Sequence, residues 1–253
     1  MKSKKLAIIL ISAVFAIVLI CAVFTTFTIR RVDAVFEVSE ENNVKADEIR
    51  AEINRSVGGN LIFCNLDAIR DSVEKNPYFE VSSIVKKYPD VIEIEIKERR
   101  EIYVAEIEDE TFILSENGLV MAKFADYQES REHIKLDLTA FSSVSAVVGQ
   151  FIQTDNDQLL ATIFDLTTKA RLTDCIKSVS AYKPDNENFC VAFKTYTGTT
   201  IEIAKVFDDG DLKLEKALEA YDGETIDYIK SSNTILASKN TEGKVFVQWL
   251  SRG

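Results

Sequence analysis

An α+β fold behind a single N-terminal transmembrane helix is predicted by three features of the sequence. A long charge-free apolar run lies near its start. A segment follows in which one strand and two helical patterns precede two further strands. The remainder is mostly short alternating strands, interrupted by two helical stretches.

The apolar run comes first. No charged residue occurs between Leu6 and Ile29. At about 1.5 Å per residue such a helix is roughly 36 Å long, against about 30 Å of hydrocarbon. Its polar members, Ser12, Thr25, Thr26, Thr28 and the weakly polar Cys21, are tolerable in a helix that satisfies its own backbone. A cleaved signal has an apolar region of only about 7–15 residues closed by small residues. No A-x-A site closes this run, and Ile20 rather than a small residue precedes Cys21. A retained anchor is therefore expected. Lys2, Lys4 and Lys5 precede it and Arg30 and Arg31 follow, a modest positive-inside bias. Residues 1–5 are expected to be a cytoplasmic tail and 6–29 the span, with the rest of the chain extracytoplasmic.

All 41 acidic residues lie beyond the span, while the formal net charge is −11. A surface this acidic is not a nucleic-acid footprint, which needs basic patches, nor a polybasic membrane contact. Beyond Cys21 the cysteines are Cys64, Cys175 and Cys190, with no C-x-x-C. That is neither a disulfide framework nor a zinc signature. Cys175 and Cys190 are read as two buried free thiols, with pairing across a hairpin as the alternative.

The outer part opens with a strand over Val32–Val38. A helix follows over Ala46–Val57, where Ile49, Ile53 and Val57 share a face and Gly58-Gly59 stops it. Asn65 caps a second helix striped by Leu66, Ile69 and Val73, which Asn76-Pro77 ends. Val81–Lys87 is a strand, Tyr88-Pro89-Asp90 turns the chain, and Ile92, Ile94 and Ile96 then alternate with Glu93, Glu95 and Lys97. Period-2 alternation of β-branched and charged residues marks a strand with one buried and one wet face. Two helices on one face of a three-stranded sheet result.

From Ile102 the pattern is mostly β. Tyr103, Ala105 and Ile107 alternate, Glu108-Asp109-Glu110 turns, and Thr111–Leu114 is joined to Leu119–Ala122 through Glu116-Asn117-Gly118, a hairpin signal. Ile134, Leu136 and Leu138 alternate again. Asp157–Arg171 reads as an amphipathic helix, with Leu159, Ile163, Leu166 and Ala170 on one face. Strands follow at Ile176–Tyr182, Phe189–Thr195 and Thr200–Ala204, divided by Pro184-Asp185-Asn186 and Thr197-Gly198. Lys213–Tyr221 is the last helix. Thr234–Lys239 and Val245–Leu250 form a final hairpin around Asn240-Thr241-Glu242-Gly243.

This order, set directly after an anchor, resembles the DivIB/FtsQ family of bacterial division proteins. Asn76-Pro77-Tyr78 with Val81, Val85, Tyr88-Pro89-Asp90, Ile92-Glu93-Ile94 and Glu98-Arg99 looks like the family's stretch from the second POTRA helix to the end of that domain. Leu114-Ser115-Glu116-Asn117-Gly118-Leu119-Val120 resembles the opening hairpin of the family's β domain, and Lys213-Leu214 fits its late helix. The resemblance implies a POTRA domain over 30–100 and a β domain over 101–253. It implies a non-enzymatic bitopic protein at the division septum, binding two other single-pass proteins of the FtsB/DivIC and FtsL types and regulating septal peptidoglycan synthesis. An anchored POTRA-type peptide chaperone is the alternative, and a wall-processing enzyme a more distant one.

No catalytic set is found in the sequence. His133 is the only histidine, and it reads as a surface residue at the start of a strand. The pairs Asp109/Glu110, Asp208/Asp209 and Glu40/Glu41 lie in turns rather than flanking a groove. Ser56-Val57-Gly58-Gly59-Asn60 lacks the lysine and preceding strand of a phosphate loop. No cofactor, metal, nucleic acid or small-molecule substrate is expected.

Surface recognition remains, by addition of a partner strand to an open sheet edge. Val245, Phe246, Val247 and Trp249 are apolar residues on both faces of the final strand, and Trp249 is the only tryptophan. If the family's last strands instead match Thr225–Lys230, then Ile226, Tyr228 and Ile229 are the contacts. Both registers stay open at this point.

Overall fold

The computed structural model describes residues 2–37, 43–125, 127, 131–170, 175–185, 187–224 and 233–251. The chain divides into two compact units, one ending at Arg99 and the other beginning at Arg100.

The first unit opens with helix α1 (Lys2–Thr26). Among the described residues no helix is long and apolar enough to cross a membrane. The helix stops three residues before the expected end at Ile29. The Phe27 amide still donates to the Val23 carbonyl (3.1 Å), but the Phe27 carbonyl accepts from Leu61 (2.7 Å) and Thr28 bridges to Asn60. Pairing with a distant loop takes over the backbone groups that another helical turn would use.

Strand β1 (Arg31–Glu37), helices α2 (Asn43–Ser56) and α3 (Leu66–Glu74), and strands β2 (Phe79–Lys87) and β3 (Val91–Glu98) follow. Val38, read as the end of β1, lies outside the described residues. The sheet order is β1-β3-β2, with β1 parallel and β2 antiparallel to the central β3. A parallel pair needs a long crossover, and α2 and α3 lie within it. The alternation in β3 has the expected outcome: Ile92, Ile94 and Ile96 are fully buried, clustered with Ile49, Ile53, Ile69 and Val73 of the two helices. Asn65 caps α3, its side chain accepting from the Asp67 amide (3.0 Å). Arg99 closes the unit by donating through Nη1 to the carbonyls of Pro77 (3.3 Å) and Phe79, with Glu80 as its ion-pair partner (3.5 Å).

The second unit contains β4 (Glu101–Ile107), β5 (Glu110–Ser115), β6 (Val120–Phe124), β7 (Ile134–Asp137), the short pair β8 (Val144–Ser145) and β9 (Gln153–Thr154), α4 (Asp157–Lys169), β10 (Ile176–Tyr182), β11 (Cys190–Thr195), β12 (Thr200–Ile203), α5 (Gly210–Gly223), β13 (Asn233–Lys239) and β14 (Val245–Ser251). Except for β8 and β9, its strands form one nine-stranded sheet of order β14-β13-β12-β11-β10-β7-β4-β5-β6. Strand β7 lies parallel to both β4 and β10 and joins the two hairpin-rich halves. The buried faces of the strands share one core with Leu159, Ile163 and Leu166 of α4 and Leu214 and Ala217 of α5.

Three readings of this part need adjustment. Arg171 and Asn186, read as a helix end and a turn, lie outside the described residues. His133 is not a surface residue. Its ring is mostly buried, with Nδ1 2.8 Å from the Tyr127 hydroxyl and Nε2 3.1 Å from the Glu101 carboxylate. The strand start that seemed to expose it brings it beside β4 instead, because β7 is an interior strand. Cys175 and Cys190 are both free, as expected, but Cys175 is exposed rather than buried, because it lies just before β10 at the hairpin's open end. Cys175 accepts from Tyr196 at one end of the β10–β11 hairpin, whereas Cys190 is buried opposite Tyr182 at the other.

Candidate partner interface

Strand β14 is an edge of the nine-stranded sheet, with β13 on one side and, among the described residues, no strand on the other. The hairpin that presents it is built locally. The Gly243 amide donates to the Asn240 carbonyl (3.0 Å), and Asn240 Oδ1 accepts from the amides of Glu242 (3.0 Å) and Lys244 (2.9 Å). Gly243 has φ +78°, the left-handed position that glycine fills without strain in a hairpin of this length.

The hairpin also sets which main-chain groups β14 offers. The Asn240 amide donates to the Lys244 carbonyl (3.0 Å), which makes that opposed pair hydrogen-bonded. Hydrogen-bonded and non-hydrogen-bonded pairs alternate along an antiparallel ladder. In the observed register, Phe246, Gln248 and Leu250 therefore bond to Ser238, Leu236 and Thr234, while Val245, Val247 and Trp249 stand opposite Lys239, Ala237 and Ile235 without bonding to them. The Ala237 carbonyl confirms this phase, because it turns away to accept from Ala204 (3.0 Å). The amides and carbonyls of Val245, Val247 and Trp249 consequently point out along the open edge.

The side chains follow the same period. Val247 and Trp249 pack, partly buried, on the core side of the sheet, above Ala237 and Ile235. Phe246 is exposed on the other face, with the half-buried Leu236 and Leu250 on neighbouring positions. Helix α5 packs across β13 and β14 from the core side. Its Lys213 is 1% exposed, and Nζ donates to the carbonyls of Ala204 (2.8 Å) and Lys205 (3.2 Å). Burial pulls the Lys213 ammonium below the usual lysine range, with Asp208 opposing. At the far end of β13, Lys239 holds Asp208 (2.5 Å) and Asp209 (2.7 Å). Its hydrogen bond is the main cause of the depressed Asp208 pKa. The edge strand therefore rests on a fixed support of helix, turn and ion cluster.

Of the residues singled out in the sequence, Val245, Phe246, Val247 and Trp249 thus lie together on one edge strand. Ile226, Tyr228 and Ile229 lie outside the described residues. The sequence reading passed over Leu236, which shares the outer face with Phe246, and Lys239, which ties the hairpin down. The alternation of Thr234–Lys239 carried the first signal; nothing local marked the second. Elsewhere, a groove of about 410 Å³ between α4 and α5 is lined by Asp165, Asp209 and Asp211, but Asp165 and Asp211 share Lys169 (2.6 and 2.9 Å). Among the described residues no group of three His, Cys, Asp or Glu side chains is placed to hold a metal ion.

Comparison with known proteins bears on the first unit most directly. Residues 34–99 match the family model described as "POTRA domain, FtsQ-type". The chain is similar to the cell division protein DivIB of Clostridium botulinum strain Hall, 24% identical over 133 residues, which is 51% of this chain and 49% of that protein. It is 30% identical to DivIB of Clostridium tetani over 89 residues, 35% of this chain and 34% of the relative. It is 25% identical to the cell division protein FtsQ of Bradyrhizobium diazoefficiens over 115 residues, 46% of this chain and 32% of the relative. The chain spans about half the length, or less, of the curated relatives it matches.

Proposed function

Starting from a chain of the DivIB/FtsQ family of cell division proteins, with an FtsQ-type POTRA domain over residues 34–99, we propose a non-enzymatic, membrane-anchored division protein that works by binding. Its apolar N-terminal helix holds it in the membrane, with the bulk of the chain outside the cytoplasm at the septum. Segments of other single-pass division proteins, of the FtsB/DivIC and FtsL types, add to the free edge of β14. Through them the protein regulates septal peptidoglycan synthesis.

The observation that carries this reading is the phase of the edge strand. Main-chain groups of three successive outward positions, Val245, Val247 and Trp249, are presented on an edge whose side chains are apolar on both faces. Exposed edges of this kind are normally blunted by charge, proline or a covering element. Here β14 carries no charged residue from Val245 to Leu250. An added strand gains main-chain hydrogen bonds along the edge and specificity from the alternate side chains.

The test uses two proline variants. Val247→Pro removes an outward amide and leaves the β13 ladder intact, whereas Gln248→Pro removes an amide that bonds to β13. Capture of the partner ectodomains by the full chain is expected to fall sharply in Val247→Pro while its thermal transition stays close to that of the parent. Gln248→Pro is expected to lose both. Full partner capture by a well-folded Val247→Pro chain sinks the placement. Equal capture of arbitrary unfolded peptides would favour the chaperone reading instead.

A further inference from the structure

The loop after α2 passes through Gly58 and Gly59, where an added Cβ meets nothing within 4 Å and Gly59 has φ +87°. It is then laced to the end of α1. The Ile29 amide donates to the Gly59 carbonyl (2.9 Å) and the Leu61 amide to the Phe27 carbonyl (2.7 Å). Asn60 Nδ2 donates to the Val23 carbonyl (3.2 Å), a second bond to an oxygen that also accepts from the Phe27 amide. This lacing buries Leu61 completely in the core of the first unit and turns the next two side chains outward. Ile62 is 39% exposed and Phe63 69%. The Phe63 ring stacks on Phe24 in the last turn of α1, centroids 5.8 Å apart, and Phe24 is itself 51% exposed. One turn further out Tyr88, 62% exposed, meets Phe27 edge-on at 5.9 Å. A folded unit thus places three of its own large apolar side chains in the open, against the end of an apolar helix.

The position of that patch along α1 identifies what covers it. About 20 residues cross a hydrocarbon core of about 30 Å. Counted from Leu6, the first residue of the charge-free run, the outer boundary falls in the last turn of α1, at the level of Phe24. Phe63 is therefore held at the lipid–water boundary, and Tyr88 at headgroup depth, where amphipathic aromatic rings concentrate. Basic side chains rim the patch. Lys86 Nζ donates to the Ile62 carbonyl (3.1 Å), and Arg30 is largely exposed, 3.8 Å from Asp90. Both suit anionic headgroups. The overall acidic surface does not oppose this, because the contact is apolar and only its rim is charged.

We propose that Phe24, Ile62, Phe63 and Tyr88 form a lipid-docking face that seats the first unit on the outer surface of the bilayer. The loop and α1 then act as one piece, and the unit has a fixed height above the membrane instead of swinging on a free linker. This rests on the anchor reading of α1, and the experiment separates the two.

The full chain, with Trp249 as its only tryptophan, is reconstituted in vesicles of phosphatidylglycerol and phosphatidylcholine, with and without brominated acyl chains. Phe63→Trp and, separately, Tyr88→Trp add one indole each at well-exposed positions. Flotation after an alkaline wash first reads the anchor. A chain that stays behind in solution refutes the anchor and the docking face with it. For a chain that floats, the emission added by Phe63→Trp is expected to be blue-shifted, to be mostly lost in brominated lipid and to be shielded from acrylamide. Tyr88→Trp is expected to be intermediate on all three measures. A floating chain whose added indole is quenched by acrylamide and not by bromine overturns the docking face and leaves the anchor standing. Shielding from both quenchers also overturns it, because the cover would then be protein.

Discussion

Single side chains decide much of what this molecule tolerates. Ile94 is fully buried at the centre of the three-stranded sheet, opposite Ala34 on one side and Ile84 on the other. Replacing it by alanine leaves a cavity between the sheet and the two helices, so Ile94→Ala is expected to cost about 2–5 kcal/mol in urea unfolding. A cost below about 0.5 kcal/mol would mean that the face is not the core. Tyr103 presents the opposite case. Its ring is fully buried against Phe164, 5.1 Å away, while its hydroxyl is buried with no hydrogen-bond partner among the described residues. Burial pushes the phenol's pKa up. The Thr167 hydroxyl only partly offsets this, its proton being donated to the Ile163 carbonyl (2.7 Å). Tyr103→Phe removes an unsatisfied polar group and no bond, so unfolding stability is expected to be unchanged or to rise by about 1 kcal/mol. A loss larger than that would reveal a bonded hydroxyl. Ile94 was legible in the sequence because its neighbours Glu93 and Glu95 mark the wet face. Tyr103 was legible only as one member of an alternation. Gly118 read as a turn residue, and its φ of +82° agrees, but the sequence gives no sign that a Cβ there would meet the Phe164 ring at 2.4 Å.

Whole elements were legible where their signals are local. The Ile92–Lys97 alternation, the Asn65 cap and the Asn240–Gly243 hairpin each follow from neighbours in sequence, and each is present. What the sequence hid are pairings between distant segments. Strand β7 lies between β4 and β10, parallel to both, and neither neighbour is adjacent to it in sequence. For that reason His133 is mostly buried where its sequence neighbours predict exposure, and α1 ends at Thr26 where the apolar run predicts Ile29. The β13 end shows an ion cluster of the same non-local kind. Lys239 holds Asp208 and Asp209 from a different loop, lowering the Asp208 pKa, while the two carboxylates raise its own. An aspartate with a depressed folded pKa contributes stability that is present above its unfolded value, about 3.9, and lost as pH falls through the lower folded value. A lysine with a raised folded pKa contributes stability that is present below its unfolded value, about 10.4, and lost as pH rises through the folded one. The difference in melting temperature between the parent and Lys239→Met is therefore expected to be widest across the neutral range. It should shrink in acid as Asp208 protonates and again in strong base. A difference that persists unchanged below the pKa of Asp208 would show that Lys239 acts through packing of its stem.

At the scale of the molecule the governing contrast is between one apolar end and an acidic remainder. The charge-free run carries no acidic group, and all 41 acidic residues follow it with 27 of the 30 basic ones, so the part beyond the run carries a formal net charge of −14. Such a charge keeps the outer part soluble and weakens any purely electrostatic hold on an anionic membrane. Retention must then come from apolar burial, which salt does not screen, and this distinction makes the anchor testable. Peripheral proteins held by charge leave the membrane in high salt or at alkaline pH. A helix in the hydrocarbon does not, because leaving returns its side chains to water at about 25 cal/mol for each Å² exposed. In fractionated cells the full chain is expected in the membrane pellet and is expected to stay there through both washes. Detergent alone should release it. A chain begun at Arg31, which keeps both the strands of the first unit and all of the second, is expected in the soluble fraction. Release of the full chain by salt would remove the anchor and leave the acidic surface with no means of holding to a membrane. A shortened chain that still pelleted would place the attachment in the folded part instead, and α1 would no longer explain it.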